Sequence, residues 1–362
     1  MTTLHFLQPA LPSYRIPFFR QLNQRADARV VVHYAVSDRG VLTKDSVSDP
    51  WASPTGPVHA LPFGLLWQSG ALSLPLVRGD VVVLWGNARV LSTILLAVRA
   101  RMRGAKVIWW GHYWSSTSRD WRLALRMMLT RVAHAMLYYT DREVTEYKSG
   151  LGALDKRPIA ALNNGLDTSA VQLLRAPYLA QERGRDLLFI GRLSEKTRFG
   201  LLLAAMADPR LADARLNVIG AGGLEESWRQ EAERLVLGER VIWHGATTDE
   251  AVIAGIANSC RLFVYPGEVG LSLIHGMAYG LPCVVHDDRW KHMPEIAAFQ
   301  KGVTGRVFAR ECPEDLARVI ASMIEDAVTL EKMSEQCLEV TNKSFNTDDM
   351  VVRFLRLLKL LQ

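Results

Sequence analysis

A few stretches of this 362-residue chain hold side chains whose types and spacing could do chemistry. In "YPGEVGLSLIHGMAYGLP", Tyr265 to Pro282, a carboxylate, Glu268, and an imidazole, His275, stand in a glycine-rich setting. Such a pair suits a metal, a proton-transfer dyad, or a sugar or phosphate group held at a helix start. A metal would need further ligands, and the neighbouring His286, Asp287, Asp288 and His292 have no ligand spacing, so no metal is expected. For His275 the plain alternative is a histidine satisfied in the core. In "LLFIGRLSEKTRFGLLLAA", Arg192, Lys196 and Arg198 gather between a strand and a helix. Fixed cations beside the unpaired N–H groups of a helix start make a phosphate cradle; a solvated basic turn is the other reading.

In the first half, "VIWWGHYWSS" delivers His112, Tyr113 and Trp114 at a strand end. The histidine could handle a proton or position a substrate, and the aromatics suit sugar faces or lipid chains, unless they form a buried cluster. "LQPALPSYRIPFFRQL" reads as a loop exposing Tyr14 and Arg15, with Pro17 opening the next helix, where an acceptor could be touched. "RLNVIGAGGLEESW" has Glu225 where a dinucleotide fingerprint needs glycine or alanine, so it reads as a tight strand-to-helix turn.

The elements that must hold these residues recur with a fixed rhythm. "TLHFLQ", "RVVVHYAV", "DVVVLWG", "KVIWWG", "AMLYYT" and "IAALNNG" are strand-like, and "DLLFIGRL", "RLNVIG", "RVIWHG", "RLFVYPG", "PCVVHD" and "GRVF" repeat the pattern. Continuous apolar runs alternating with helical segments predict parallel sheets covered on both faces. A polar stretch with Pro177 and Gly184 separates the two sets. The expected fold class is α/β: two tandem Rossmann-like, doubly wound domains, 1–170 and 171–340, with ligands at the carboxyl ends of strands in a cleft between them. The segment 341–362 is expected to pack back towards the first domain. Its helix "MVVRFLRLLKLL" puts Val351, Phe354, Leu357 and Leu358 on one face, and lying on a membrane is the alternative.

Composition bounds the function. Apolar content of 49% with 22% charged residues marks a folded globular protein. The four cysteines have no CxxC spacing and read as reduced packing residues, which with the lack of a leader-like N-terminus predicts a cytoplasmic protein. No apolar run approaches the roughly 18 residues of a spanning helix. The net charge of +6 is uneven, with 20 Lys and Arg against 11 Asp and Glu through Ala170. That predicts an anionic partner for the first half. Nucleic acid is not expected, because no recognisable module gathers the cations. An anionic membrane surface is the alternative, supported by "WRLALRMMLTRVAHAMLYY", where Arg122, Arg126 and Arg131 interleave with leucine and methionine.

Taken in order, "FIGRLSEKTRFGLLL", "NVIGAGG", "YPGEVGLSLIHGMAYGLPCVV" and "MPEI…GVTGRVF" resemble the nucleotide-sugar domain of family 4 glycosyltransferases, which have the GT-B fold. The match covers about residues 186–308, and "LPSYRIPFFRQL", "WWGHYW" and "NNGLDT" extend it more loosely. The resemblance implies a retaining, metal-independent transferase without a cofactor. It would move a sugar from a nucleoside-diphosphate sugar to the hydroxyl of a saccharide or lipid-linked saccharide, in surface polysaccharide or glycolipid synthesis. The basic first half and the Arg122 to Arg131 segment add the expectation that it works in the cytoplasm, peripherally on the inner face of the plasma membrane. The family's diphosphate arginine falls on Arg192 and a histidine near the reacting sugar on His112, both as catalytic groups. The family's lysine falls on Thr197, leaving Lys196 or Arg198 to supply its charge. The two glutamates of the usual motif fall on Gly267 and His275, with Glu268 one residue out of register. Gly270, Leu271, Ser272 and Glu295 complete the donor side, and Tyr14 and Arg15 the acceptor side. A nucleotide-sugar epimerase and a catalytically degenerate nucleotide-sugar binder are the competing readings.

Overall fold

The computed structural model describes residues 2–36, 47–113 and 120–361, with the backbone alone for 120–122. Trp114 and the side chain of Arg122 therefore lie outside the described residues. The chain divides into two compact units, Met1–Asn163 with Thr347–Gln362, and Asn164–Asn346. The first break falls ahead of 170, and the second after 340. The reason is local: Leu166 bridges to Asn346 and donates its N–H to the Phe345 carbonyl at 3.2 Å, so the chain just past Asn163 already belongs to the second unit.

The first unit contains strands β1 Thr3–Gln8, β2 Arg29–Ala35, β3 Ala52–Thr55, β4 Val58–Ala60, β5 Leu66–Gln68, β6 Val81–Trp85, β7 Lys106–Trp110, β8 Ala135–Tyr138 and β9 Ile159–Ala161. Its helices are α1 Ile16–Arg25, α2 Leu91–Met102, α3 Asp120–Leu129 and α4 Asp141–Ser149. Seven strands form one parallel sheet in the order β3-β2-β1-β6-β7-β8-β9, and β4 and β5 make an antiparallel hairpin. The runs "VVVL" and "VIWW" are buried throughout, as strands covered on both faces must be. The edge strand β3 contains Pro54, which removes a ladder donor and is tolerated at an edge.

The second unit contains β10 Leu187–Ile190, β11 Leu216–Ile219, β12 Val241–Gly245, β13 Leu262–Tyr265, β14 Cys283–His286 and β15 Gly305–Phe308. With them run α5 Ser169–Leu174, α6 Phe199–Met206, α7 Glu225–Arg234, α8 Glu250–Ala257, α9 Leu271–Ala278, α10 Pro313–Ile324 and α11 Ala327–Lys343. The parallel sheet has the order β12-β11-β10-β13-β14-β15. The chain thus winds outward from β10 to β12, then returns to the other side of β10 at β13, so the strands that follow β10 and β13 lie in opposite directions along the sheet. Ligands of open α/β sheets bind at such a switch.

The last helix, α12 Thr347–Lys359, belongs to the first unit. It buries Met350, Val351, Phe354 and Leu357, and the Phe354 ring packs 5.2 Å from Phe6 and 6.2 Å from Phe18. Each large apolar side chain buried in this way contributes about 1.5–3 kcal/mol. Arg353, paired within the helix with Asp349 at 2.6 Å, ties it down through Asp141 at 2.9 Å.

Candidate functional site

In the second unit, Arg192 stands just past β10 at the switch. It is exposed and has no hydrogen-bond or ion-pair partner among the described residues. The turn carrying it is fixed by backbone bonds to the loop after β11: Leu193 donates to the Ala221 carbonyl at 3.0 Å, and Leu224 to the Leu193 carbonyl at 3.3 Å. The GAGG segment is therefore a brace for the Arg192 turn.

Lys196 and Arg198, unlike Arg192, are each paired with a carboxylate. Lys196 Nζ lies 3.3 Å from Glu268 Oε2, and Arg198 Nε lies 3.3 Å from Glu311 Oε1. Together with Glu268, His286, Lys291 and Arg310 they line a cavity of about 310 Å³, and Arg192 is not among its lining residues. Between them Thr197 is buried, its hydroxyl donating to the Ser194 carbonyl at 2.6 Å. Arg198 has a φ of +48°, a left-handed conformation that costs a non-glycine residue about 1 kcal/mol or more. The turn sends 197 inward and 196 and 198 outward, which is why a lysine at 197 would have no place here.

The loop after β13 meets this turn directly. A Cβ on Gly267 would lie 2.1 Å from the Lys196 carbonyl oxygen and 2.5 Å from the Thr197 carbonyl carbon. No side chain fits at 267, and the carboxylate of this loop stands at Glu268. The Glu268 N–H donates to the Lys196 carbonyl at 2.9 Å. Val269 N–H donates to His292 Nδ1 at 3.2 Å, and His292 Nε2 donates to the His286 carbonyl at 3.0 Å. The backbone amide fixes the His292 tautomer. His286 stacks on His292 at 3.7 Å, and burial, with help from His292 and Arg310, lowers it to about 3. Glu295 is buried and accepts from Asn164 Nδ2, supporting the loop from behind Gly270.

Helix α9 begins after Gly270 with no acidic side chain in its first turn. The first intrahelical donor is Leu273, whose N–H bonds to the Gly270 carbonyl at 2.9 Å, so the N–H groups of Leu271 and Ser272 have no acceptor within the helix and can meet an anion. Leu273, Ile274, Met277 and Ala278 bury the opposite face, and Gly280, at φ +71°, ends the helix. His275 lies in its second turn, neither alone nor satisfied by apolar packing. Its Nε2 is 2.8 Å from Glu250 Oε1, and the Tyr279 hydroxyl donates to the same oxygen at 2.5 Å. Burial pushes the Glu250 carboxyl upward, but the hydrogen bonds from His275 and Tyr279 outweigh it and hold it below its usual range.

In the first unit, His112 follows β7, half-exposed, stacked on Tyr139 at 4.1 Å, with Nδ1 3.5 Å from Glu143 Oε1. Glu143 accepts backbone N–H bonds from Tyr113 at 3.1 Å, Tyr139 at 3.1 Å and Thr140 at 3.2 Å. The histidine is thus held by a fixed carboxylate on one side and a ring on the other. Arg15 is not the exposed acceptor contact expected: it is buried, with its guanidinium 4.3 Å over the Trp110 ring, bonded to Gln8 at 2.8 Å and to the Tyr139 hydroxyl at 3.2 Å. Tyr14 is half-buried beside it. In α3, Arg126 is half-buried and donates to the Tyr113 carbonyl, while Leu125 and Met128, and Arg131 just past the helix, are exposed.

Two functional candidates escaped the sequence reading. Glu143 carries a readable signal, since "TDRE" is a Thr-x-x-Glu capping box and the structure forms it with Thr140. Glu250 carries none, because its partner lies 25 residues away on another helix.

Residues 171–339 match the family model described as glycosyl transferases group 1. The glycogen synthase of Halorhodospira halophila is 33% identical over 123 residues, 31% of this chain and 24% of that one. That of Alkalilimnicola ehrlichii is 37% identical over 110 residues, 29% and 22% of the two chains. The chain thus spans about a quarter of the length of these curated relatives. Among solved structures, Anabaena HepE in complex with UDP superposes with a TM-score of 0.69 at 16% identity, covering 99% of this chain and 100% of that one. Sucrose-phosphate synthase from Thermosynechococcus elongatus gives 0.68 at 16%, covering 100% and 99%. A glycosyltransferase from Rickettsia africae gives 0.70 at 12%, covering 100% and 99%. At these identities the likeness is one of fold, and the fold is GT-B.

Proposed function

We propose that this protein is a retaining, family 4 type glycosyltransferase that moves a sugar from a nucleoside-diphosphate sugar to an acceptor hydroxyl. The observation that carries the reading is Arg192: a guanidinium without a partner among the described residues, at the switch between β10 and β13, in the unit whose α9 opens with N–H groups that have no acceptor within the helix. Those groups would bind the diphosphate and stabilise its charge as the sugar–phosphate bond breaks. The acceptor oxygen forms the new bond on the same face, and its proton passes to the departing diphosphate. Charge on the leaving group is met by Arg192 and backbone amides, so this reading needs no metal. Lys196, Arg198 and Glu268 line the adjoining cavity, whose mixed charges offer donors and acceptors to a hydroxyl-rich sugar. His112, oriented by Glu143, is the first unit's polar group for the reacting sugar or acceptor.

The acceptor is proposed to be a saccharide or lipid-linked saccharide of a surface polymer or glycolipid, met in the cytoplasm at an anionic membrane face. The support is charge and exposure in the first unit. Leu95, Val98 and Met102 form an exposed stripe on α2, with Arg101 and Arg103 beside it and Leu125, Met128 and Arg131 exposed nearby in sequence. No helix among the described residues is long and apolar enough to cross a membrane.

The test is nucleoside-diphosphate release by purified protein from a panel of donors, with and without a lipid extract as acceptor. Acceptor-dependent release is expected, and Arg192→Ala should cut it about a hundredfold or more, in the range seen on removing one charge-stabilising donor. Undiminished release by Arg192→Ala sinks the assignment. Donor binding without any release favours a degenerate binder.

A further inference from the structure

The β4–β5 hairpin of the first unit takes no part in the site described above. Its strands pair Val58 with Gln68, His59 with Trp67 and Ala60 with Leu66. Across the tip the Leu61 N–H donates to the Leu65 carbonyl at 2.8 Å, and the Leu65 N–H to the Pro62 carbonyl at 3.3 Å. Phe63 stands at that tip, 100% exposed, with a φ of +60°, a left-handed conformation that bulky side chains rarely adopt. Glycine would relax this backbone, and the ring packs against nothing, so a phenylalanine here does not serve the fold.

The base of the hairpin is fixed. Gln68 is buried, its side chain donating to the Gln8 carbonyl at 3.0 Å, and its N–H donates to the Ser92 hydroxyl at 2.9 Å. The Leu66 N–H donates to the Arg89 carbonyl at 2.8 Å. The tip is therefore held out from the start of α2, the helix that exposes Leu95, Val98 and Met102. Its composition says what it meets. Residues 60–67, "ALPFGLLW", carry no charged, hydroxyl or amide side chain. From Trp51 to Tyr113 six Lys and Arg stand against one acidic residue, Asp80, which is buried and accepts from the N–H groups of Thr3 and Val77. Arg78, Arg89, Arg101, Arg103 and Lys106 are exposed. A protein partner tolerates carboxylates around the rim of an apolar contact. An anionic bilayer repels them, while it accepts an inserted ring and attracts the cations around it.

We propose that the hairpin tip is a membrane anchor, in which Phe63, flanked by Leu61 and Leu65, enters the headgroup–acyl boundary of an anionic bilayer. The proposal rests on the membrane reading above and adds to it an element that inserts.

The experiment is co-sedimentation of the full chain with vesicles of phosphatidylcholine, alone or mixed with phosphatidylglycerol, at low and high salt. Phe63→Gly removes the ring and relaxes the turn, so the unfolding midpoint should hold or rise. Its binding to the mixed vesicles should fall about tenfold or more, as expected for a phenylalanine side chain no longer buried. The factor should be the same at both salt concentrations, because apolar insertion is not screened. Phe63→Asn, also at home in a left-handed turn, should lose binding alike, and Phe63→Trp should keep it. Glycine and asparagine variants that bind as the wild type does overturn the proposal. So does a change confined to self-association in sedimentation velocity, which would make the tip a contact between copies of this chain. Wild-type protein that binds neither vesicle overturns the membrane reading itself, whereas bound wild type with a flat Phe63 series leaves that reading standing.

Discussion

The Glu268 N–H donates to the Lys196 carbonyl at 2.9 Å, and the Glu268 carboxylate lies 3.3 Å from the Lys196 ammonium. One residue pair thus joins the loop after β10 to the loop after β13 by both backbone and side chain. The ion pair itself stabilises the fold little, because the lysine side chain is 74% exposed and the glutamate 36%. Its worth lies in where it puts two charges on one cavity wall. Lys196→Ala and Glu268→Ala should each leave the unfolding midpoint nearly unchanged, within about 1 kcal/mol, as for other exposed pairs. Each should lower kcat/KM for the donor about tenfold, and the double variant should cost clearly less than the two combined, as groups acting as a unit do. Fully additive losses in that cycle would show that the two side chains act separately.

The same loop shows where sequence reading stops. The strands were legible because continuous apolar runs such as "VVVL" and "LLFI" have no stable home but a covered parallel sheet. The edge strand β3 was not, since "ASPT" carries a proline and no apolar run. Arg192 was legible as a cation at a strand end. That Lys196 faces Glu268, or that Arg15 lies under Trp110, depends on side chains brought together from distant segments, which no local pattern encodes. Gly267 is the sharpest case: its lack of a side chain looks like a lost glutamate until the Lys196 carbonyl is seen 2.1 Å from where a Cβ would stand.

Buried histidines set a pH dependence in each unit. Burial, with His5 adding, lowers His33 to about 4, and burial, with His292 and Arg310 adding, lowers His286 to about 3, against an ordinary value of 6.5. Between 6.5 and those values the unfolded chain binds protons that the native chain refuses. Stability is therefore fully present above about 6.5 and falls as pH drops below it, by up to about 1.4 kcal/mol per pH unit for each such group. Urea unfolding at pH 7.5, 5.5 and 4.5 should show midpoints that fall steadily, and His33→Gln should flatten the part reported by the first unit. Constant midpoints across that range would mean both imidazoles titrate normally.

The exposed apolar stripe of α2 gives the membrane proposal a specific address. Met102 is 83% exposed, with Val98 and Leu95 one and two turns before it and Arg101 and Arg103 alongside. In a protein kept from lipid such a stripe stays scattered and inert. Against an anionic surface, apolar insertion and about 1 kcal/mol per nearby basic residue act together, and only the second is screened by salt. The protein should co-sediment with vesicles containing anionic lipid at low salt, and most of it should be released at high salt. Val98→Glu with Met102→Glu should weaken binding about tenfold or more while donor turnover in solution is unchanged, since both are exposed residues of the first unit and Arg192 belongs to the second. Equal sedimentation with neutral and anionic vesicles, or no response to the double substitution, removes α2 as the contact and with it the membrane assignment.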